Sequence, residues 1–183
     1  LRSAALVPPG EIDFARVGDS FERLRRLAPF VKRMFLEACA DAGVSGAIVP
    51  DLPVDEASEW RNVCAEASVA PVFLAAPGSP EQRLRAIGEA SRGFVYCVAT
   101  YGVTGERERL APTAAELVAR LRVLTDRPLL VGVGIAEPSQ AAKACAFADG
   151  VVVGSALVRP LLEADAAAAL RLAGAFRAAI DTT

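Results

Sequence analysis

Pro128-Leu-Leu-Val-Gly-Val-Gly134 and Asp149-Gly-Val-Val-Val-Gly-Ser155 decide how this chain is read. Each is a short apolar run that ends in glycine and gives way to a segment of helical periodicity. A run apolar at every position fits a strand with both faces covered. Working back toward the start, the same plan recurs at Gly46-Ala-Ile-Val-Pro50, Ala70-Pro-Val-Phe-Leu-Ala-Ala76 and Gly93-Phe-Val-Tyr-Cys-Val98. Successive starts lie 24, 23, 35 and 21 residues apart, enough for one crossover helix between parallel strands. Five parallel strands are predicted. They could form an open doubly wound sheet or part of a closed (β/α) barrel, and the turns choose between these. Gly132-Val-Gly134 runs on into Ile-Ala-Glu137, without the third glycine of a dinucleotide fingerprint and late in the chain. A barrel places a phosphate site in the loops after its last two strands, beside a short helix. Gly134 and Gly154-Ser155 stand there.

Local signals predict the helices. Asp55-Glu56 open one whose Ala57, Trp60, Cys64 and Ala67 share a face. Ser79-Pro80 reads as an N-cap followed by a first-turn proline, Thr113-Ala-Ala-Glu116 has capping-box spacing, and Pro138 opens a further helix. From 31 to 42 the pattern is helical, with Met34, Phe35 and Ala38 inward and Gly43 as the stop. Leu161 to Ile180 reads as a helical tail. Residues 1–30 show no strand-helix repeat, and one domain over 1–183 is expected, with that atypical segment before 31–183.

With 53% apolar residues the chain can bury a core. Twenty basic against 22 acidic side chains leave no footprint for nucleic acid or an anionic membrane. No apolar run is long enough to span a bilayer, and the opening residues lack a signal-peptide pattern, so a cytoplasmic protein is expected. Cys39, Cys64, Cys97 and Cys145 stand singly among apolar neighbours, as buried free thiols do, and no metal site is expected. The absence of histidine excludes His-based triads and His-ligated metals. Carboxylates, tyrosine, lysine and backbone amides must carry any chemistry.

Gly105, Gly134, Gly154 and Ser155 are the phosphate candidates. Glycine lets backbone N–H groups approach an anion, serine adds a hydroxyl, and a helix starting at Ser155 would add its partial positive charge. Any one of these glycines alone would read as a tight turn. Asp51 directly follows a strand, where it could line a pocket or simply anchor the turn. Tyr96 could line the same pocket or be core. The loop Gly102-Val-Thr-Gly105-Glu-Arg-Glu-Arg109 could cover a ligand or be a solvated loop.

Ala42-Gly-Val-Ser-Gly46, Ile48-Val-Pro-Asp-Leu-Pro53, Gly93-Phe-Val-Tyr96, Gly102-Val-Thr-Gly105, Gly132-Val-Gly134 and Asp149-Gly-Val-Val-Val-Gly-Ser155 together resemble the tryptophan synthase alpha chains. Their order and separations follow that family's fourth to eighth strands, from about Val31 to the end. The resemblance implies a (β/α)8 TIM barrel, here incomplete with about five strands. It also implies a lyase that cleaves indole-3-glycerol phosphate to indole and glyceraldehyde 3-phosphate. No cofactor would belong to this chain; pyridoxal phosphate would belong to a beta-chain partner that receives the indole. Gly105, Gly134, Gly154 and Ser155 would hold the substrate phosphate. Tyr96 would line the active site, and Val133 stands where the family often has a bulkier pocket residue. Thr104 would lie on the mobile loop, and Gly102 would face the beta chain.

The family's catalytic glutamate and assisting aspartate lie on a Glu-Leu-Gly-x-Pro-x-Ser-Asp-Pro-type segment, and no such segment occurs in this sequence. Glu11, Asp13 and Asp19 are the nearest acidic groups and take over no role from the resemblance. About three strand-helix units are missing, so exposed sheet edges are expected. Two alternatives to the lyase remain open: a non-catalytic phosphate-binding or beta-chain-activating module, and another phosphate-binding barrel enzyme.

Overall fold

A computed structural model describes residues 30–98 and 112–182. Gly102, Thr104 and Gly105, together with Glu11, Asp13, Asp19 and the rest of the segment before 30, lie outside the described residues. The order is α1 (30–41), β1 (Gly46–Ile48), a 3-10 turn (Val54–Glu56), α2 (Ser58–Glu66), β2 (Ala70–Val72), β3 (Leu74–Ala75), α3 (Glu81–Ala90) and β4 (Val95–Val98). Then follow α4 (Pro112–Arg122), β5 (Leu129–Gly132), α5 (Pro138–Cys145), β6 (Gly150–Val151), α6 (Ser155–Leu162) and α7 (Ala166–Asp181). Every strand pairing is parallel: β1 with β2, and β3-β4-β5-β6 in sequence order.

The run from Ala70 to Ala76, expected as one strand, is divided between two sheets for a reason written at Pro71. In a parallel strand alternate residues turn their N–H and C=O to opposite neighbours. Ala70 and Val72 face β1, and Ala70 N–H donates to the Ser45 carbonyl at 2.9 Å. Pro71 and Phe73 face β4, but Pro71 has no N–H to give. Its carbonyl still accepts from Arg92 N–H (2.8 Å), and the Phe73 carbonyl accepts from Tyr96 N–H (3.0 Å), so the two sheets are stitched together there. The Phe73 N–H finds Ser91 Oγ at 3.3 Å, which accounts for Ser91, a polar side chain buried completely in the core.

Helices cover one face of the sheet. Val95, Cys97, Leu129 and Val131 are fully buried beneath Leu84, Leu117, Leu121, Ala141 and Ala144. Burying side chains of this size stabilises the fold by about 1.5–3 kcal/mol each. Burial also pushes the thiols of Cys64 and Cys97 up, to about 11 and about 12, so both behave as small apolar side chains, while Cys39 and Cys145 are only half-buried. The opposite face, carrying Tyr96, Val98 and Leu130, is half-buried. Among the described residues the strands form an open arc, which leaves that inner face partly open.

Several local expectations are corrected. On α1 the inward stripe is Lys32, Leu36 and Cys39; Met34, Phe35 and Ala38 are exposed. Two apolar stripes run along this helix, and periodicity cannot tell which one docks; ion pairs of Lys32 with Glu59 (2.5 Å) and Arg33 with Glu66 (2.8 Å) set its rotation against α2. Gly43 does stop α1, at φ +79, with Val44 N–H returning to the Cys39 carbonyl. Pro80, not Ser79, is the N-cap of α3, and Thr113 lies inside the first turn of α4, because Pro112 already begins it. The tail is two helices: Ala164 turns the chain at φ +59, and Asp165 caps α7 by accepting from Ala168 N–H at 2.8 Å.

Asp149, at the amino end of β6, joins two elements. Its Oδ2 accepts from Arg122 (2.6 Å) and from Leu129 N–H (2.7 Å). The Arg122 hydrogen bond, aided by the Leu129 N–H, holds this carboxyl below its usual range. A depressed folded pKa stabilises the fold above the unfolded value of about 3.9 and ceases to do so as pH falls through the folded value. Asp149→Asn is therefore expected to lower Tm at neutral pH. The gap to the parent should close below about pH 3.9, as thermal melts across the acid range would show.

Candidate functional site

Parallel strands bring their carboxyl ends to one side, and the turns after β5 and β6 meet there. β5 ends at Gly132, and the chain turns at Val133 (φ +72) and Gly134 (φ +80). Left-handed backbone is free for glycine but costs an L-residue roughly 1–2 kcal/mol, and a β-branched valine is a particular outlier. Such strain persists where surrounding structure fixes it, commonly at ligand sites. β6 leads through Val152-Val153 to Gly154, the N-cap of α6, whose first residue is Ser155.

Between these turns lies a cleft of about 540 Å³. Its wall includes Tyr96, Val133, Gly134, Gly154, Ser155 and Arg159. That volume is in the range of small-molecule sites. Gly154 offers no side chain, and a Cβ there would meet nothing within 4 Å, so the backbone is open to a ligand. The first turn of α6 presents unpaired N–H groups and a partial positive charge to the cleft. An anion of phosphate size suits this geometry.

The Tyr96 ring lies across β5, so close that a Cβ on Gly132 would stand 2.1 Å from its hydroxyl oxygen and 2.3 Å from Cζ. Glycine at 132 is what lets the phenol reach the cleft. Its hydroxyl hydrogen-bonds the Val133 backbone, and partial burial raises its pKa despite that bond.

The structure thus brings together Gly134, Gly154, Ser155, Tyr96 and Val133. It does not bring Asp51 to them: Asp51 is exposed in the turn after β1, makes no side-chain hydrogen bond with a described residue and does not line the cleft. Sequence reasoning missed Arg159, one turn along α6 from Ser155, and Glu163, the residue that caps the end of α6, both lining the cleft. The i, i+4 spacing from Ser155 was the available signal. Among the described residues the Arg159 guanidinium has no ion-pair partner. No cluster of three or more potential metal ligands occurs among them either, and none of their helices is long and apolar enough to cross a membrane.

Residues 25–177 match the family model described as tryptophan synthase alpha chain. The tryptophan synthase alpha chain of Streptomyces avermitilis is 45% identical over 135 residues, which cover 74% of this chain and 49% of that protein. That of Mycobacterium tuberculosis is 47% identical over 129 residues, 70% of this chain and 48% of the relative. The chain therefore spans about half the length of these relatives. Among solved structures, M. tuberculosis tryptophan synthase in an aminoacrylate-bound form matches with a TM-score of 0.72 at 38% identity, covering 84% of this chain and 58% of that one. Tryptophan synthase subunit alpha from Legionella pneumophila gives 0.73 at 27% identity, covering 87% and 61%. The parallel strands and helices are thus part of a TIM barrel.

Proposed function

The chain belongs to the tryptophan synthase alpha chain family, and from that premise we propose that its cleft holds the phosphate of indole-3-glycerol phosphate for aldol cleavage to indole and glyceraldehyde 3-phosphate. The convergence of Gly134, Gly154 and Ser155 on the amino end of α6 carries this reading. Backbone N–H groups and the Ser155 hydroxyl bind the phosphate oxygens, and Arg159 adds a full positive charge beside them. Gly105, beyond the described residues, is the fourth phosphate contact in this reading. Tyr96 and Val133 wall the cleft beside the indole-bearing part of the substrate, Thr104 belongs to the closing loop, and Gly102 to the contact with a beta chain. The chain carries no cofactor and works in the cytoplasm.

Cleavage needs a proton delivered to indole C3 and another removed from the glycerol hydroxyl, work suited to a positioned carboxylate. The residues in the cleft bind and orient, and none is assigned the proton transfer. Since the chain spans about half of its relatives, a second reading is that it binds phosphate, or activates a beta chain, without cleaving substrate. The test is to mix purified chain with indole-3-glycerol phosphate, with and without a beta chain, and to measure binding and released indole. Indole release supports the lyase, and saturable binding without indole supports the second reading. Failure to bind overturns both, and selective binding of a different phosphorylated sugar would assign another barrel enzyme.

A further inference from the structure

At the opposite end of the strands is a pocket of about 420 Å³ that the proposed reaction does not use. It is built from segments entering strands: Ser45 before β1, Ser68 to Pro71 entering β2, and Arg92 before β4, with Arg61 and Asn62 of α2. Its floor is apolar and buried, formed by Cys64, Val69, Pro71 and Ala90. Its polar rim is one-sided. Arg61 and Arg92 line it, Asn62, Ser45 and Ser68 supply neutral polar groups, and no carboxylate side chain is among the lining residues.

The two arginines are held differently. Arg92 Nη1 donates to the carbonyls of Glu89 (2.8 Å) and Ser91 (3.0 Å), which anchors the side chain and leaves its other N–H groups without an acceptor among the described residues. Arg61 has no side-chain partner among the described residues. Glu66, close in sequence, is engaged with Arg33 at 2.8 Å. The last turn of α2 does not supply the missing acceptors, because Ser68 N–H closes on the Ala65 carbonyl (3.3 Å) and Val69 N–H on that of Cys64 (3.0 Å). Two like charges around one concavity, with an apolar floor and no counter-charge, favour an anion that takes forked guanidinium hydrogen bonds.

We propose that the Arg61–Arg92 pocket is a second anion-binding site, on the amino-terminal face of the sheet, that takes a small phosphate- or carboxylate-bearing metabolite. It is independent of the phosphate cleft and does not rest on the reaction assigned there.

Calorimetric titration at low salt, where exposed charges are least screened, tests it. The protein is the full chain carrying Ser155→Asp, so that an anion in the other cleft does not contribute. The probes are inorganic pyrophosphate and citrate. At least one is expected to bind saturably, and whichever binds more tightly identifies the group. Arg61→Ala should weaken that binding roughly tenfold or more, the scale of one charge-assisted hydrogen bond, and Arg92→Ala should do likewise. Arg61 is exposed and unpaired, so its removal leaves the fold intact. No saturable binding of either probe, or binding unchanged by Arg61→Ala, would overturn the site.

Discussion

Ser155→Asp is expected to weaken severely the binding of phosphate-bearing ligands in the cleft while leaving the protein as stable as its parent, or slightly more so. Ser155 is the first residue of α6, exposed, and makes no side-chain hydrogen bond with a described residue. A carboxylate at that position meets the partial positive charge of the helix end and stabilises it by about 0.3–1 kcal/mol. The same carboxylate occupies the place of the phosphate and repels a dianion. Binding of glycerol 3-phosphate should fall by two orders of magnitude or so, given about 1.5–3 kcal/mol for each charged hydrogen bond lost. Calorimetric titration and a thermal melt read the two effects separately. A large loss of Tm would mean that Ser155 holds the fold; unchanged affinity would mean that the anion does not sit on α6.

Gly132→Ala should have the second largest effect. The new methyl would overlap the Tyr96 ring, whose Cζ would lie 2.3 Å away. Real Cβ atoms do not tolerate such contacts, so either β5 shifts or the ring leaves the cleft and gives up its bond to Val133. Overpacking of this kind costs about 1–3 kcal/mol. The variant Tyr96→Ala removes the obstruction, and the cost of Gly132→Ala should then fall to a few tenths of a kcal/mol, as for an uncoupled pair. Denaturant melts of both single variants and the double variant measure that coupling. Additive costs would show that the ring does not rest on Gly132.

Both variants act on residues whose importance was unequally visible in the sequence. Gly154-Ser155 could be read because a strand, a glycine and a new helix follow one another along the chain, and that order by itself makes an anion-binding end. Gly132 looked like one member of a glycine pair. Its role depends on Tyr96, 36 residues away, packed against it through the parallel pairing of β4 and β5. Arg159 was similarly silent until α6 placed it one turn below Ser155 and beside the same cleft.

The chain by itself determined its strands, their parallel order and the amino end of α6, because these depend on apolar runs, spacing and turn residues close in sequence. It marked Pro71 without saying that the strand there would serve two sheets, since the missing N–H matters only once neighbours are assigned. Tertiary structure alone decided which of two apolar stripes of α1 faces inward, that Asp51 stays away from the cleft, and that Arg61 and Arg92 share a pocket. In each case the deciding quantity is a contact between distant segments. Periodicity gives a helix its faces, and packing against other elements gives those faces their direction.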